Sequence, residues 1–317
     1  MQQVALGKTP LRIIPLVFGG NVFGWSVDEQ QSFKLLDAFV DAGLNMIDTA
    51  DCYSIWADGH QGGESETILG KWFKQSGKRN KVILATKVGM KMADGSQGLS
   101  AAHITKSVEN SLKRLQTDVI DLYQAHIDDP NTSFEETFNA FDKLIKAGKV
   151  RFIGASNYSA DRLEAAITAS QKLNLAVFQT LQPEYNLYDR QGYETKLQAT
   201  VKKLGLGVIT YYSLASGFLS GKYKTTADLQ KSTARSPKVK EYLNDRGLKI
   251  LATLNQVASD YNATPAQVAL AWLRANPTVT APIVSSTTVE QLTQLIKGLT
   301  LTLTQDTVAA LNQASSY

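Results

Sequence analysis

Several features that the sequence lacks exclude whole classes of protein. It contains one cysteine, Cys52, which excludes an internal disulfide framework and suits a reducing compartment. No apolar run approaches the length that crosses a bilayer. The first residues, MQQVALGKTPLR, lack the long apolar core of a signal peptide. We therefore expect a cytoplasmic protein that has no membrane partner.

The chain also has little excess charge of either sign. Its 33 basic and 29 acidic side chains give a formal net charge of +4. Because the basic residues are scattered along the chain, we expect no nucleic-acid partner, although a small positive excess suits a phosphate-bearing ligand. The length of 317 residues and the apolar fraction of 43% are typical of one large α/β domain or two modest ones.

Short runs of strand-forming residues alternate with amphipathic segments of helical spacing, which predicts a parallel α/β architecture. The dinucleotide-binding motif GxGxxG does not follow the first run, where the sequence reads FGGNVFGW. Between a doubly wound sheet and a closed barrel, this absence and the chain length favour a single (β/α)8 TIM barrel over residues 1–317. The predicted strands are 15–18, 45–48, 82–87, 119–124, 152–155, 177–180, 207–211 and 279–284.

Three segments lie outside this alternation. Residues 4–13 are typical of a hairpin that turns at Gly7 and Lys8 and covers the amino end of the barrel. The long polar stretch at about 216–245 predicts a lid or a disordered loop. Residues 303–314 predict a C-terminal helix, with Thr304 as its N-cap.

Four chemically active side chains follow the predicted strands at their carboxyl ends, which meet on one face of such a barrel. They are Asp48, Tyr53, Lys87 and His126. The Lys87 ammonium is expected to lower the pKa of Tyr53, and Asp48 to hold that lysine in place. Tyr53 then serves as a general acid toward a carbonyl oxygen that His126 orients. Singly, each residue has a plain interpretation: a cap, a loop aromatic, a solvated lysine and a core histidine.

Motifs spread through nearly the whole chain, in order, make a family resemblance specific. They are D-T-A-x-x-Y at 48–53, G-x-S-E-x-x-L-G at 63–70, A-T-K at 85–87, D-L-Y-Q-x-H at 121–126, G-x-S-N at 154–157, Q-x-E-Y-N-L at 182–187, G-F-L-S-G-K-Y at 217–223 and V-E-Q-L at 289–292. With these motifs the chain resembles an aldo-keto reductase. The resemblance implies a (β/α)8 barrel that binds a nicotinamide cofactor in extended form without a Rossmann motif.

The resemblance also implies roles for individual residues. Tyr53 matches the catalytic acid, with Asp48, Lys87 and His126 as its partners. Tyr211 matches the aromatic that stacks on the nicotinamide. The carboxamide-binding positions correspond to Ser156, Asn157 and Gln179. The remaining cofactor contacts match Gly20 and Asn21 after the first strand, and Leu214, Ser216, Gly217 and Lys222 in the loop that closes over the pyrophosphate.

One departure from the family pattern concerns the adenosine end of the cofactor. Family members often carry a basic residue there, after the eighth strand, that holds the 2′-phosphate. Residues 283–291 read IVSSTTVEQ and contain none. NADP is the expected cofactor and NAD the alternative, with Ser285, Thr287 and Gln291 predicted to line this end. Phe23, Trp25 and Trp56 are expected to wall an apolar pocket for an aldehyde or ketone.

Three functions remain to be weighed. NAD(P)H-dependent reduction of a carbonyl compound is favoured, because all four catalytic residue types are present. The alternative is a cofactor-binding regulatory subunit with little turnover, like the potassium-channel beta subunits that share these motifs. A metal-dependent hydrolase is disfavoured, since His126, Asp128 and Asp129 lack a second ligand group such as HxH, and no metal is expected. The physiological substrate, direction of flux and oligomeric state are left open.

Overall fold

A computed structural model describes residues 1–231 and 235–317 of the chain. Its centre is a closed barrel of eight parallel strands. The strand that precedes the last two helices pairs with the first barrel strand through Ile283 and Val17, and with its other neighbour through Ala281 and Ile209. The predicted (β/α)8 barrel is thereby confirmed, and a doubly wound sheet, which has open edges, is excluded. The barrel strands are β3 (Val17–Gly19), β4 (Met46–Asp48), β5 (Ile83–Val88), β6 (Ile120–Ala125), β7 (Val150–Ser156), β8 (Phe178–Gln182), β9 (Gly207–Thr210) and β10 (Ala281–Val284).

All eight predicted strands exist, with ends displaced by at most two residues. Four strands have an end displaced by two residues: β3 begins at Val17 rather than at 15, β7 begins at Val150 rather than at 152, β8 ends at Gln182 rather than at 180, and β10 begins at Ala281 rather than at 279. Strands of a parallel sheet are buried on both faces, so their apolar runs do not alternate and do not mark where pairing begins or stops.

The predicted hairpin is confirmed at the amino end of the barrel. Strands β1 (Val4–Ala5) and β2 (Arg12–Ile13) pair in antiparallel fashion. Buried Leu6 and Leu11 pack in one cluster with the inward-facing residues of the barrel strands. The turn approaches the barrel so closely that a Cβ added at Gly7 would lie 2.3 Å from the carbonyl oxygen of Gln179. The hairpin therefore seals this end of the barrel.

Side-chain caps fix where several of the surrounding helices begin. Ser100, Ser133 and Ser159 each accept a hydrogen bond from a backbone N–H of the first turn that follows, and Thr304 does so for the predicted terminal helix. The helices are α1 (Glu29–Asp41), α2 (Glu64–Ser76), α3 (Ala101–Leu115), α4 (Phe134–Lys146), α5 (Ala160–Lys172), α6 (Gln198–Leu204), α7 (Ser236–Tyr242), α8 (Asp245–Asp260), α9 (Pro265–Ala275), α10 (Val289–Lys297) and α11 (Gln305–Ala314). None of the helices in the described residues is both long and apolar enough to cross a membrane.

The long segment at about 216–245 is more ordered than the sequence predicts. Its described residues form two short 3-10 turns, Ala215–Ser220 and Thr226–Lys231, followed by α7. Phe218 and Tyr242 stack with ring centroids 5.5 Å apart and are both buried. Of the two predicted alternatives, a disordered loop does not describe these residues, because apolar side chains spaced through the polar sequence pack into the core. The other alternative, a lid, stays a prediction. Residues 232–234 of this segment lie outside the described residues.

Candidate active site

The carboxyl ends of the barrel strands bring polar side chains together inside the barrel. Asp48 ends β4, and Lys87 of β5 is the register partner of Gln124 in β6. Gln182 ends β8, and all four side chains are at most 2% exposed. Because side chains of neighbouring strands in register point to the same face of a sheet, these groups share the barrel interior. The end opposite the hairpin is thus polar.

The Lys87 ammonium is the centre of this group. Its Nζ donates to Asp48 Oδ2 at 2.6 Å, to the Thr49 carbonyl oxygen at 2.8 Å and to the Tyr53 hydroxyl oxygen at 2.9 Å. These three acceptors use all three N–H donors of the lysine. A buried charge is stable only when it is paired and hydrogen-bonded, and Lys87 meets both conditions.

Asp48 is equally well supported. Its second oxygen, Oδ1, accepts from Gln124 Nε2 at 3.0 Å and from Gln182 Nε2 at 2.9 Å. The carboxylate is therefore held from both sides, by an ammonium on one oxygen and by two amides on the other. This geometry fixes the position of Lys87 beneath Tyr53.

Tyr53 is partly buried above Lys87. Burial, followed by the negative charge of Asp48, raises the pKa of Tyr53 well above its ordinary value of 10. The predicted lowering by the Lys87 ammonium stays a prediction, and the net shift is upward because burial and Asp48 both disfavour the phenolate. The hydroxyl oxygen accepts the Lys87 hydrogen bond, so the phenol keeps its own proton to donate to another acceptor.

His126 completes the predicted set of four. Its ring centroid is 5.9 Å from that of Tyr53, and Nδ1 lies 3.6 Å from Cys52 Sγ. Burial, followed by the charge of Lys87, holds the pKa of His126 well below 6.5, so the imidazole is neutral at physiological pH. With Nδ1 directed at Cys52, Nε2 is the ring nitrogen left to contact a ligand beside Tyr53.

Three of the predicted cofactor residues form a connected cluster next to His126. Asn157 Nδ2 donates to the His126 carbonyl oxygen at 2.9 Å, and the Tyr211 hydroxyl donates to Asn157 Oδ1 at 2.8 Å. Ser156 Oγ donates to the Gln182 carbonyl oxygen at 2.8 Å. Asn157 has a φ of +56°, a left-handed conformation that asparagine adopts more readily than most residues. The cluster offers donors and acceptors of the kind that a carboxamide requires.

The prediction for Gln179 is not supported, since the structure does not bring this residue to the cluster. Gln179 is the second residue of β8, and its carbonyl oxygen faces the hairpin turn at Gly7. Its side chain donates to the Val177 carbonyl oxygen at 3.2 Å. The glutamine at the carboxyl end of the strand is Gln182, within the motif Q-x-E-Y-N-L. The sequence does not mark which of the two glutamines ends the strand.

The residues predicted for the adenosine end meet where β3 and β10 pair. Ser285 Oγ lies 2.7 Å from both the Gly19 carbonyl oxygen and Asn21 Oδ1. Gln291 Oε1 accepts from the backbone N–H and the hydroxyl of Thr287, each at 3.1 Å. Gly20, also predicted here, has its carbonyl oxygen bonded to Ser65 Oγ at 2.8 Å. Helix α10 begins just beyond, and its free N–H groups suit an anion.

The loop after β9 carries the remaining predicted cofactor residues. The Leu214 carbonyl oxygen accepts from the Gly217 N–H at 2.8 Å, and Ser216 and Gly217 have φ angles of +55° and +91°. A Cβ added at Gly217 would lie 3.8 Å from Lys222 Nζ, so the lysine is folded back over the turn. The loop therefore forms one tight structure.

Sequence reasoning missed Arg235, which lies farther along the same segment. Its guanidinium carbon is 4.8 Å from the centroid of the Trp25 ring, a cation–π contact. Burial lowers the pKa of Arg235, partly offset by nearby Tyr212 and Tyr223. The available signal was a lone arginine in the polar stretch TTADLQKSTARSPK, which gives no indication of what it contacts.

Of the three predicted pocket aromatics, Trp56 lies beside Tyr53 and Trp25 packs against Trp56. The Trp56 ring is 5.8 Å from the Tyr53 ring and 5.5 Å from the Trp25 ring, and Trp56 is 45% exposed. Phe23 instead is fully buried and stacks on Phe18 at 5.4 Å. The expectation that Phe23 walls the pocket is therefore not supported, because its ring belongs to the core outside the barrel.

Comparison with known proteins agrees with these features. The family model described as "Aldo/keto reductase family" matches residues 15–316. The chain is 37% identical over 319 residues to the "Uncharacterized oxidoreductase YrpG" of Bacillus subtilis, covering 98% of this chain and 95% of that protein. It is 33% identical over 306 residues, 94% of this chain and 91% of the relative, to a "Probable voltage-gated potassium channel subunit beta" of Oryza sativa subsp. japonica. The "Aldo-keto reductase str7" of Strobilurus tenacellus is 32% identical over 92% of this chain and 83% of its own length. The resemblance is thereby confirmed, and the chain belongs to the aldo/keto reductase family of oxidoreductases.

Proposed function

We propose that this protein reduces an aldehyde or ketone to the corresponding alcohol, using a hydride from a bound nicotinamide cofactor and a proton from Tyr53. The observation that carries the proposal is the hydrogen bond of 2.9 Å from Lys87 Nζ to the Tyr53 hydroxyl oxygen. It leaves the phenolic proton free for a carbonyl oxygen and places a fixed positive charge where the phenolate forms.

The substrate is held by two groups in this proposal. His126 Nε2, the nitrogen not directed at Cys52, donates a hydrogen bond to the carbonyl oxygen and aligns it with the Tyr53 hydroxyl. Trp25 and Trp56 cover the remainder of the molecule with apolar surface. An aldehyde or ketone with a hydrophobic or aromatic body fits these walls.

The residues present also fit a nicotinamide dinucleotide. Ser156, Asn157 and Gln182 supply donors and acceptors next to His126, and Tyr211 supplies a flat face. At the other end, the Ser286 hydroxyl is buried and has no hydrogen-bond partner among the described residues. An unsatisfied buried hydroxyl beside a helix N-terminus is what a phosphate or ribose group would complete.

We propose NADP as the cofactor and NAD as the alternative. In this proposal, Arg235 and Lys222, on the segment that follows β9, provide the positive charge for the phosphate that residues 283–291 lack. Guanidinium groups bind phosphate oxygens in bidentate geometry. Steady-state kinetics with NADPH and NADH test this choice: NADPH should give the higher kcat/KM in the wild type, and Arg235→Ala should reduce that preference.

The experiment that tests the reaction is a carbonyl panel run with purified protein. Oxidation of NADPH should require a carbonyl compound such as 4-nitrobenzaldehyde, and the corresponding alcohol should accumulate in equal amount. Cofactor consumption without an alcohol product would contradict the proposal.

A second candidate is a cofactor-binding regulatory subunit with little turnover. The similarity to plant proteins named as probable potassium channel subunits favours it. Tight cofactor binding by the wild type, together with no reduction of any compound in a broad carbonyl panel, would support this function over the first.

We further propose that residues 1–317 act as a single domain on a small-molecule substrate in the cytoplasm. The free, buried Cys52 thiol is consistent with a reducing compartment. Expression of the full chain fused to a fluorescent protein would test the location.

A further inference from the structure

Behind the active-site tyrosine, three side chains of different chemistry face one another. Asp51, Cys52 and His126 each direct one ligand atom to a common space, and these three atoms lie within 4.8 Å of one another. The side chains are 1%, 3% and 6% exposed. Neither Asp51 nor Cys52 contacts the substrate in the reaction proposed above, and the contact of Cys52 with His126 does not explain why Asp51 is directed to the same space.

Within the described part of the chain, the carboxyl group of Asp51 lacks the partners that a buried polar group normally has. Among the described residues, neither of its carboxylate oxygens has a hydrogen-bond partner of normal geometry. The Cys52 backbone N–H has one of the weaker effects on the pKa of Asp51, which it lowers. Buried polar atoms are almost always satisfied by a partner, and an orphan indicates a missing group such as water or an ion. A buried carboxylate without a partner is thus directed toward the Cys52–His126 pair.

Nearby Glu66 is a buried carboxylate whose hydrogen-bond partners are all within the protein. Glu66 is also fully buried, yet Arg114 Nε donates to it at 2.7 Å and Thr86 Oγ1 at 2.6 Å. Arg114 is therefore committed to Glu66. Asp51 lies in the same region, but neither of its carboxyl oxygens receives an equivalent hydrogen bond from a cation of the described residues.

We propose that Asp51, Cys52 and His126 form a binding site for a zinc ion. Imidazole nitrogen, thiolate sulfur and carboxylate oxygen are the three ligand types that zinc takes in proteins. The thiolate and imidazole favour zinc over magnesium or calcium, which prefer oxygen ligands. On binding, the Cys52 thiol and, where it is protonated, the Asp51 carboxyl release their protons to solvent as the zinc–sulfur and zinc–oxygen bonds form, and a water molecule completes the coordination.

The distances permit this site after a small closure. Zinc bonds of about 2.0–2.3 Å in tetrahedral geometry place neighbouring ligand atoms roughly 3.3–3.6 Å apart. From an upper separation of 4.8 Å, the side chains need to approach by little more than about 1 Å. The 3.6 Å between Cys52 Sγ and His126 Nδ1 already meets the requirement.

Zinc at this site should inhibit the reduction. The ion binds His126 through Nδ1, and the upper separation of 4.8 Å among the three ligand atoms has to shorten. We expect part of that movement to shift the His126 ring from its position beside Tyr53. A displacement of about 1 Å in a reacting group can cost on the order of 10²-fold in rate. The zinc site itself rests on the three residues and not on the proposed reaction.

Cobalt spectroscopy tests the site without turnover. After the protein is stripped with a chelator, titration with Co²⁺ should produce a thiolate-to-cobalt charge-transfer band in the near ultraviolet, and equimolar Zn²⁺ should remove it. The chain has no other thiol, so the band reports on Cys52 alone. X-ray absorption at the zinc edge of the wild type should give one sulfur and otherwise nitrogen or oxygen neighbours. An absent band, or a zinc shell without sulfur, would overturn the proposal.

Variants separate the ligands from nonspecific binding. Cys52→Ser should lose the band, and Asp51→Asn should weaken Co²⁺ binding roughly tenfold or more, because a metal ligand is removed. Asp58→Asn, an exposed carboxylate seven residues farther along, is the matched control and should bind like the wild type. Circular dichroism verifies that each variant is folded. Equal affinity in Asp51→Asn and the wild type would contradict the role of Asp51.

Inhibition by zinc is measured as a rate of carbonyl reduction, separately from metal binding. For each variant, the rate with zinc is divided by its own rate without zinc. The wild type should lose most of its activity and regain it with a chelator, whereas Cys52→Ser should show a ratio near one. Binding without inhibition would overturn the inhibitory effect alone, and failure of the carbonyl assay would count against the proposed reaction and leave the spectroscopic result standing.

Discussion

The two ends of the barrel are built from the same eight strands and differ in almost every other respect. At the amino end, Leu6, Leu11 and Ile13 of the hairpin fill the opening with apolar side chains. At the carboxyl end, the interior holds the ion pair of Lys87 and Asp48, whose N···O distance is 2.6 Å. The amino end is closed by buried apolar side chains, which need no hydrogen-bond or charge partner. The other contains a charged pair that is stable only while all its hydrogen bonds are intact.

The two ends should therefore respond differently to substitution. An apolar plug tolerates substitutions of similar volume, whereas removing one member of a buried pair leaves an uncompensated charge. Changes at the amino end should therefore act on stability alone. Changes at the carboxyl end should act on stability and on activity together, and the following variants test that contrast.

Lys87→Met should have the largest effect. It removes the ammonium and leaves Asp48 buried without a counter-charge, which typically costs about 3–5 kcal/mol. We expect that loss in the free energy of unfolding, measured by urea denaturation, together with loss of turnover. Lys91→Met, at an exposed lysine in the loop after β5, is the control and should change neither. A Lys87→Met protein as stable as the wild type would show that Asp48 does not depend on this partner.

Gly7→Ala tests the opposite end. A Cβ at this position would lie 2.3 Å from the Gln179 carbonyl oxygen, and φ is +60°. Contact and backbone strain together should cost roughly 2–3 kcal/mol of stability, while kcat of the remaining folded protein stays unchanged.

Gly59→Ala measures how much stability the left-handed backbone conformation alone costs when alanine replaces glycine. Gly59 also has a left-handed φ, +79°, but an added Cβ would meet nothing within 4 Å. Its cost should be about 1 kcal/mol. Equal losses in the two variants would mean that close contact with the barrel contributes nothing.

The variants Gln182→Ala and Gln179→Ala should show the smallest changes of this series. They compare the two ends of the barrel within a single strand, β8. The two residues are three positions apart on β8 but belong to opposite ends. Gln182→Ala removes a hydrogen bond to the buried Asp48 and a proposed cofactor contact, so the Kd for NADPH should rise roughly tenfold. Gln179→Ala should leave the Kd unchanged, as measured by fluorescence titration. The reverse pattern would restore the assignment made from the sequence.

These glutamines also illustrate what could be predicted from the sequence. The barrel and the convergence of Asp48, Tyr53, Lys87 and His126 were predictable, because each strand end is followed by an abrupt change from apolar to polar residues. The choice between Gln179 and Gln182 was not. In a strand buried on both faces, no alternation marks where pairing begins, so neither glutamine is identified as the terminal one.

Other parts of the site depend on contacts between distant segments. Phe23 was assigned to the pocket and lies in the core, because the direction of a loop aromatic is set by the residues around it. Arg235 reaches Trp25 across 210 positions of sequence, and no local pattern encodes that contact. Likewise, the net rise in the pKa of Tyr53 follows from burial, which becomes known only once the fold is known.

The central claim, that Tyr53 delivers the proton, is tested most directly by Tyr53→Phe, which removes one hydroxyl oxygen and keeps the ring. We predict that kcat with an aromatic aldehyde falls by roughly 10²–10⁴-fold, while the Kd for NADPH stays within about twofold of the wild type, since the cofactor residues are untouched. Tyr317→Phe, at an exposed tyrosine, should match the wild type in both. Turnover by Tyr53→Phe within tenfold of the wild-type value, with cofactor binding intact, would contradict the claim.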